Sequence, residues 1–122
     1  MTLFETLGGE TALRAIIEDF VDRLFDDLMI GFFFRKADRE RVKRFEYEHA
    51  AEWLGAGQAY GGRSLAQAHA AHPIRTGHFG RRLQILREVL AKHRVPEDIA
   101  KGWIAHQESL RSEVMGQKPK LC

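Results

Sequence analysis

Apolar residues recur at helical spacing along most of this chain, and that periodicity limits the possible folds more than any other feature of the sequence. From Glu10 to about Asp26 the pattern predicts an amphipathic helix. Its apolar face carries Leu13, Ile16, Ile17, Phe20 and Leu24. No segment shows the sustained alternation of apolar and polar residues that a half-buried strand requires. The sequence therefore predicts an all-α fold.

Capping residues set the limits of the other helices in the first half of the chain. Residues 2–7 predict a short helix that ends at a pair of glycines. Residues 29–34 are dense in aromatic side chains and predict a buried corner. Asp38 is a suitable N-cap for a third helix that runs to Trp53.

Three more helices are predicted after a glycine-rich loop at residues 55–62. Ser64 can cap a short helix, which Pro73 ends because the residue before a proline avoids helical geometry. Thr76 can cap the next helix, and Pro96 can open the last one at its first turn. The inner faces of these last two helices carry Phe79, Leu83, Leu86, Val89 and Leu90, and then Ile99, Trp103, His106 and Leu110.

The size and composition of the chain are those of one small globular domain. It has 122 residues, of which 44% are hydrophobic and 30% are charged, as in ordinary globular proteins. We expect a single domain over residues 1–122, with residues 113–122 as a flexible tail.

Charge and cysteine content limit the expected partners. The 19 basic residues are interleaved with 17 acidic ones and the net charge is +2, so the basic block typical of nucleic-acid binding is not found. The apolar runs are too short to span a bilayer. The single cysteine, Cys122, excludes an internal disulfide and a cysteine-rich metal site. We therefore expect a cytoplasmic protein, a monomer or weak dimer, with neither a nucleic acid nor a membrane as its partner.

The third predicted helix carries polar residues where its pattern calls for apolar ones. At about 100° per residue, one face carries Val42, Phe45, His49 and Trp53. Glu46 lies about 40° from Val42, inside this apolar sector. Burying either polar group unpaired would cost roughly a few kcal/mol, so two interpretations are open. Either the helix is rotated and both polar groups reach solvent at its edge, or this face lines a cavity that holds a ligand.

Glu46 and His49 also form a Glu-x-x-His motif. Helical bundles that bind two metal ions use this spacing, because side chains at positions i and i+3 point inward together. Such sites need the motif twice together with two further carboxylates, whereas this sequence contains the motif once. A di-iron centre is therefore not expected.

His69 lies near the end of the short helical run in "YGGRSLAQAHAAHPI", residues 60–74, with alanine on both sides. Leu65 and Ala68 share its face, and the small Ala68 and Ala70 would let a planar group approach. Two interpretations are open for this histidine: a surface residue, or a ligand for something large and flat. Five other histidines compete for such a role, namely His49, His72, His78, His93 and His106.

Several motifs follow one another with almost no gaps. They are "LFETLGGE", then "DFVDRLFDD" with the later "FFF", then "WLGAGQAYGGRSLAQAHAAHPI", and finally "HFGRRLQILREVL" and "VPEDI". Each is weak alone, but in this order they resemble the truncated hemoglobins, short bacterial and protist globins with a two-over-two helical sandwich. The resemblance is closest to group I of that family and covers Leu3 to about Arg111.

This resemblance implies a heme b cofactor and makes His69 the proximal ligand of the heme iron. It implies that the proximal side of the heme is lined by Leu65, Ala68, Ile74, Phe79, Leu83 and Leu86. It implies that the distal side is lined by Phe20, Val21, Phe33, Phe34, Val42, Phe45, Glu46 and His49. Phe33 or Phe34 would stack on the porphyrin edge, and Lys43, Arg44 or Arg75 would pair with a propionate.

The distal half departs from the family pattern. Members usually carry Phe-Tyr where this chain has Phe20-Val21, and the tyrosine hydroxyl donates a hydrogen bond to dioxygen. Val21 has no such donor. The family also often has glutamine where this chain has Glu46, and an aromatic residue where it has His49. In the later glycine pair, Ala56 replaces the second glycine.

Three hypotheses follow for the distal side. Burial favours a protonated Glu46, which could donate in place of the tyrosine, or Glu46 and His49 could act together as a catalytic acid–base pair. Alternatively, His49 binds the iron as a sixth ligand, although it lies about two turns beyond Val42. In the third hypothesis Glu46 points outward along the propionates and the pocket is apolar.

Three classes of function are compatible with these observations. The first is a five- or six-coordinate heme protein that binds dioxygen, nitric oxide or carbon monoxide, with a role in dioxygen binding or, together with a reductase, in nitric oxide detoxification. The second is a peroxidase-like heme enzyme that uses Glu46 and His49. The third is a helical interaction module without heme.

Overall fold

Five α-helices and one 3-10 turn form the part of the chain that the computed structural model describes, residues 2–56 and 76–110. They are α1 (Leu3–Leu7), α2 (Gly9–Asp26), the 3-10 turn (Gly31–Phe34), α3 (Arg39–Leu54), α4 (Thr76–Lys92) and α5 (Glu97–Ser109). No strand occurs in these two ranges, and the predicted all-α fold is confirmed. The loop and short helix predicted around Ser64 lie outside the described residues.

The helices begin and end where the capping residues predict. The Thr2 hydroxyl accepts a hydrogen bond from the Glu5 backbone N–H, and the Glu5 carboxylate accepts one from the Thr2 backbone N–H, so the pair forms a capping box. Asp38 caps α3 by accepting hydrogen bonds from two backbone N–H groups of its first turn. Gly55 ends α3 in the left-handed conformation, with φ of 86°.

Helix α2 lies at the centre of the fold and packs against α1, α3, α4 and the 3-10 turn, while α4 also packs against α5. The core between the helices includes fully buried Leu13, Phe20 and Leu24 from α2, together with Leu86 and Leu90 from α4. In the described part of the chain, no helix combines the length and apolar character that crossing a membrane would require.

The predicted buried corner at residues 29–34 is wrong in part. Ile30 is buried, but Met29 and Phe32 are about half exposed. A 3-10 helix has three residues per turn, so consecutive side chains point to different sides and cannot all face one core. Phe34 turns inward to stack on Phe25 at 5.0 Å, while Phe33 stacks on Phe32 at 4.2 Å.

Asp27 ties this turn to α4. One of its carboxylate oxygens accepts hydrogen bonds from the backbone N–H groups of Met29 and Ile30, at 3.0 and 3.1 Å. The other oxygen accepts two from the Arg81 guanidinium, at 2.9 and 2.7 Å. The hydrogen bonds from Arg81 lower the pKa of Asp27, with smaller help from the two backbone groups. The turn therefore has a fixed position relative to α4.

Candidate functional site

Helix α3 is rotated relative to the face that the sequence predicts. Its buried residues are Glu46, Ala50, Ala51 and Leu54, whereas Val42, Phe45, His49 and Trp53 are half-buried. Glu46 is 7% exposed, so the interpretation in which it reaches solvent at the helix edge is wrong. The rotation places a carboxylate in the interior, where it needs a partner.

Arg82 of α4 is that partner. Its Nη1 and Nη2 atoms donate to the two carboxylate oxygens of Glu46 at 3.2 and 3.0 Å, and its side chain is 3% exposed. A guanidinium and a carboxylate match in shape, so two parallel hydrogen bonds fix their relative orientation. The pairing also favours the ionised form of the carboxylate.

Gln107 and Phe20 complete the surroundings of the guanidinium. Nη2 of Arg82 also donates to Oε1 of Gln107 at 3.0 Å, and the guanidinium carbon lies 5.0 Å from the centre of the Phe20 ring. Glu46, Arg82 and Gln107 are the buried polar or charged residues of the described ranges. We call these three residues the polar cluster; they join α3, α4 and α5.

Sequence analysis missed two members of the polar cluster, although a signal for each is present. Arg82 follows Phe79 by three positions and precedes Leu86 by four, which puts it on the apolar face of α4. Gln107 follows Trp103 by four positions on the inner face of α5. The sequence thus offers Arg82 and Gln107 on the inner faces of α4 and α5 as possible partners for the Glu46 carboxylate on α3.

A small cavity lies beside the polar cluster. It is lined by Ile17, Phe20, Glu46, His49, Ala50, Arg82, Leu86, Trp103 and Gln107, and its volume is about 10 Å³. That is close to the space that one water-sized molecule needs. The structure therefore brings the predicted pair Glu46 and His49 to one cavity and adds Arg82 and Gln107 to its wall.

A column of stacked rings runs between α3 and α5. The ring of His49 lies 6.4 Å from that of Phe45 and 5.8 Å from that of His106, and His106 stacks on Trp53 at 5.3 Å. Burial lowers the pKa of His106, and the nearby His49 lowers it further. His106, which sequence analysis predicts on the apolar stripe of α5, therefore loses its proton more readily than an exposed histidine does.

A second apolar cluster lies apart from the main core. Phe79 and Leu83 are buried in it and pack with the half-buried Phe45 and Leu110. The family resemblance assigns Phe79 and Leu83 to the proximal lining and Phe45 to the distal lining, and in this structure the three lie together. Nearby along α4, the His78 ring meets Phe33 edge-on at 4.9 Å.

The other predicted lining residues fall into three groups. Phe20, Val21 and Leu86 are fully buried in the main core, and Phe33, Phe34 and Val42 are half-buried against it. The remaining predictions lie outside the described residues, namely Leu65, Ala68, the predicted iron ligand His69, Ile74 and Arg75. In residues 2–56 and 76–110, no three His, Cys, Asp or Glu side chains come together as a metal site.

The described residues fit a large, mostly apolar group with a few polar contacts, as heme is. Phe45, Phe79 and Leu83 offer an apolar surface. Two buried nitrogens, His78 Nδ1 and Arg82 Nε, have no hydrogen-bond partner within the described ranges. Since buried polar atoms are nearly always hydrogen-bonded, such atoms are expected where a bound group completes the site.

Comparison with known proteins gives a consistent result. A family model described as bacterial-like globin matches residues 2–115. The group 1 truncated hemoglobin GlbN of Mycolicibacterium paratuberculosis is 29% identical over 97 residues, which cover 80% of this chain and 71% of that protein. The group 1 truncated hemoglobin of Tetrahymena pyriformis is 23% identical over 116 residues, which cover 95% of this chain and 96% of that protein.

Solved structures share the fold. The Fe(III) form of the truncated hemoglobin from Tetrahymena pyriformis has a TM-score of 0.83 at 23% identity and covers 97% of this chain and all of its own. The 2/2 hemoglobin from Synechococcus, in the cyanomet state with covalently attached heme, has a TM-score of 0.87 at 22% identity and covers 96% of this chain and all of its own. The two-over-two arrangement that the motifs imply is therefore the fold of this chain.

Proposed function

The chain belongs to the bacterial-like globins, as a truncated two-over-two globin closest to group I, and on this premise we propose that it binds small diatomic gases at a heme iron held by His69. Heme is the cofactor of this family, and the iron supplies the site at which a gas molecule binds. The gases in question are dioxygen, nitric oxide and carbon monoxide.

One observation carries this proposal: a water-sized cavity lined by buried polar side chains occurs inside a globin fold, between α2, α3, α4 and α5. A dry apolar core would need neither Arg82 nor Gln107. A pocket that orients a small ligand needs a few polar groups in an otherwise apolar wall.

The chain's own residues have separate tasks in this proposal. His69 would hold the iron. Phe45, Phe79 and Leu83 would keep water away from the cofactor, and Phe33 or Phe34 would pack against it. Lys43, Arg44 or Arg75 would pair with a propionate; in this structure Lys43 lies 3.1 Å from Asp22, so in that role it would interact with two carboxylates.

Val21 cannot donate a hydrogen bond to a bound gas. It is buried and has no hydrogen-bond donor, so any donor to a bound gas comes from elsewhere. Glu46 and His49 are the candidates from the sequence, and both line the cavity. Their direct cooperation as an acid–base pair stays a prediction, since Glu46 is already bound by Arg82.

Two physiological roles follow for a gas-binding heme protein of this kind. The first is dioxygen binding. The second is nitric oxide detoxification, which needs a reductase partner to return the iron to its reduced state after each turnover.

The first test is an absorption spectrum of the purified protein, ferric and then reduced with dithionite. We expect a Soret band that His69→Ala abolishes or shifts, because the iron then loses its protein ligand. His72→Ala is the matched control, since it removes another histidine three positions later and should leave the spectrum unchanged. A colourless protein that also takes up no hemin would contradict the proposal and favour an interaction module without heme.

A second candidate function is peroxidase-like chemistry. Glu46 and His49, which can give and take a proton, line one cavity with Arg82, a fixed cation. Cleaving a peroxide needs a group that moves the proton from one oxygen to the other and a charge that stabilises the leaving oxygen. This observation favours peroxidase-like chemistry over other enzymatic reactions.

Peroxide-dependent oxidation of a dye separates the two candidates. An enzyme that uses Glu46 should lose most of its rate in Glu46→Gln, whereas a gas-binding globin should show a slow rate that this substitution does not change. The Soret spectrum of the variant verifies that heme content is the same.

A further inference from the structure

The Arg82 guanidinium has five N–H donors, and three hydrogen bonds account for part of them. Nη1 and Nη2 bind the two oxygens of Glu46, and Nη2 also binds Gln107. Nε is buried and has no hydrogen-bond partner within the described residues. Arg82 is one of the residues that line the cavity, and its Nε–H is a buried donor without a partner among the described residues.

The surroundings of Arg82 hold it in one orientation. Glu46 fixes two of its nitrogens from α3, Gln107 binds it from α5, and the Phe20 ring of α2 lies under the guanidinium at 5.0 Å. Three helices thus prevent the side chain from turning away. A donor fixed in this way does not have to reorganise when a ligand enters.

We propose that Arg82, positioned by Glu46 and Gln107, determines which small ligand the pocket retains, by donating its Nε–H to a ligand atom in the cavity. The inference rests on the proposed gas-binding function and assigns the donor role to Arg82 rather than to Glu46. Glu46 is the counter-ion in this arrangement, because an ionised carboxylate accepts hydrogen bonds and cannot donate them.

The chemistry of the polar cluster defines the class of ligand. Glu46 balances the charge of Arg82, so the pair is neutral overall and attracts a permanent anion only weakly. A neutral diatomic molecule that becomes partly negative when it binds gains a charge-assisted hydrogen bond. Dioxygen belongs to this class, whereas carbon monoxide accepts hydrogen bonds weakly. The pocket should therefore favour dioxygen over carbon monoxide through Arg82.

The experiment compares ligand dissociation from the heme-loaded protein in four variants: Glu46→Gln, Arg82→Met, the double variant E46Q/R82M, and Arg87→Met. The double variant leaves no unpaired buried charge, which protects the fold. Arg87→Met is the matched control, since Arg87 is an arginine of the same helix at an exposed position.

Dioxygen should leave E46Q/R82M about ten- to a hundredfold faster than it leaves Glu46→Gln, while carbon monoxide dissociation changes less than about threefold. Arg87→Met should match the wild type. Equal dioxygen rates in Glu46→Gln and the double variant would overturn the role of Arg82 while leaving heme binding intact. A wild-type protein that takes up no hemin would overturn the proposed function and this inference together.

Two further measurements do not depend on dissociation rates. The infrared stretching frequency of carbon monoxide in the loaded protein should rise in E46Q/R82M relative to Glu46→Gln, because a positive donor near the ligand is lost. In the wild type, the Arg82 Nε–H resonance should differ between the dioxygen and carbon monoxide complexes of the reduced protein, because dioxygen accepts the hydrogen bond strongly and carbon monoxide weakly. An Nε–H signal at the same position in both complexes, with Soret bands that show both ligands bound, would contradict the proposal.

Discussion

Arg82 and Glu46 join α4 to α3 through two hydrogen bonds of 3.2 and 3.0 Å in the interior of the fold. Their side chains are 3% and 9% exposed, so neither charge has water to solvate it. Desolvating two charges is costly, and a buried ion pair is often no more stable than an apolar pair of the same shape. A pair maintained at this cost beside a cavity points to a role in ligand binding.

Arg82→Met should destabilise the protein by about 3–5 kcal/mol, because it leaves the Glu46 carboxylate buried without its partner. The double variant E46M/R82M should recover much of that loss. Urea unfolding of Arg82→Met, Glu46→Met and the double variant measures the coupling free energy between the two residues. Arg87→Met, at an exposed position of α4, is the control and should change stability by no more than about 0.5 kcal/mol. Additive losses in the two single variants would contradict a direct interaction.

Asp27→Ala should cost about 1–3 kcal/mol at neutral pH, since it removes hydrogen bonds to Arg81 and to two backbone groups. The pKa of Asp27 is lowered in the folded state, so its stabilisation is complete above the unfolded value of about 3.9 and disappears as the pH falls through the lower folded value. Stability curves of wild type and variant should therefore converge in acid. Asp26→Ala, with an exposed side chain, should show a much smaller difference.

His106 should make the fold sensitive to mild acid. Its pKa is lowered in the folded state by burial and then by His49, so its contribution is complete above about pH 6.5 and is lost as the pH falls toward the folded value. His106→Gln should flatten the decline of stability below pH 6.5. In His49→Gln, an NMR titration should find the pKa of His106 closer to its ordinary value. An unchanged titration would mean that His49 has no influence on His106.

Gly31→Ala should destabilise the 3-10 turn by about 1–3 kcal/mol, because a Cβ atom at this position would lie 2.6 Å from the Phe25 carbonyl oxygen. The backbone would have to shift, and with it Phe33 and Phe34. Gly80→Ala is the matched control in α4, where a Cβ atom meets no other atom within 4 Å. It should be neutral or stabilising by up to about 1 kcal/mol, since alanine favours helices. Thermal unfolding of both variants tests the contrast.

Local sequence determined most of the helices, because capping and periodicity act within a few residues. Asp38 and Gly55 bound α3 within about one residue of the prediction, and Pro96 precedes α5 as expected. The apolar stripe of α4 is also confirmed, since Phe79, Leu83 and Leu86 are all buried. The prediction of a buried corner at residues 29–34 was wrong in part, because a high content of aromatic residues does not determine the direction in which a tight turn points each ring.

The family could likewise be predicted from the order of short motifs along the chain, since each motif reflects a local requirement and their order reflects the fold. What the sequence by itself left open was the rotation of α3. Its wheel centred the inner face on Val42, Phe45 and His49, with Glu46 inside the same sector, yet of these four residues only Glu46 is buried in the structure. Burying a carboxylate is unfavourable until a cation is in place, and that cation comes from another helix.

The tertiary structure alone decided how the polar cluster forms. Glu46 and Arg82 are 36 residues apart, and Arg82 and Gln107 are 25 apart, so no local pattern pairs them. In the sequence, each of the three is a single polar residue on the apolar face of its own helix. Only the packing of α3, α4 and α5 around α2 brings the three polar side chains within hydrogen-bond distance. Their hydrogen bonds to one another then offset the cost of removing each side chain from water.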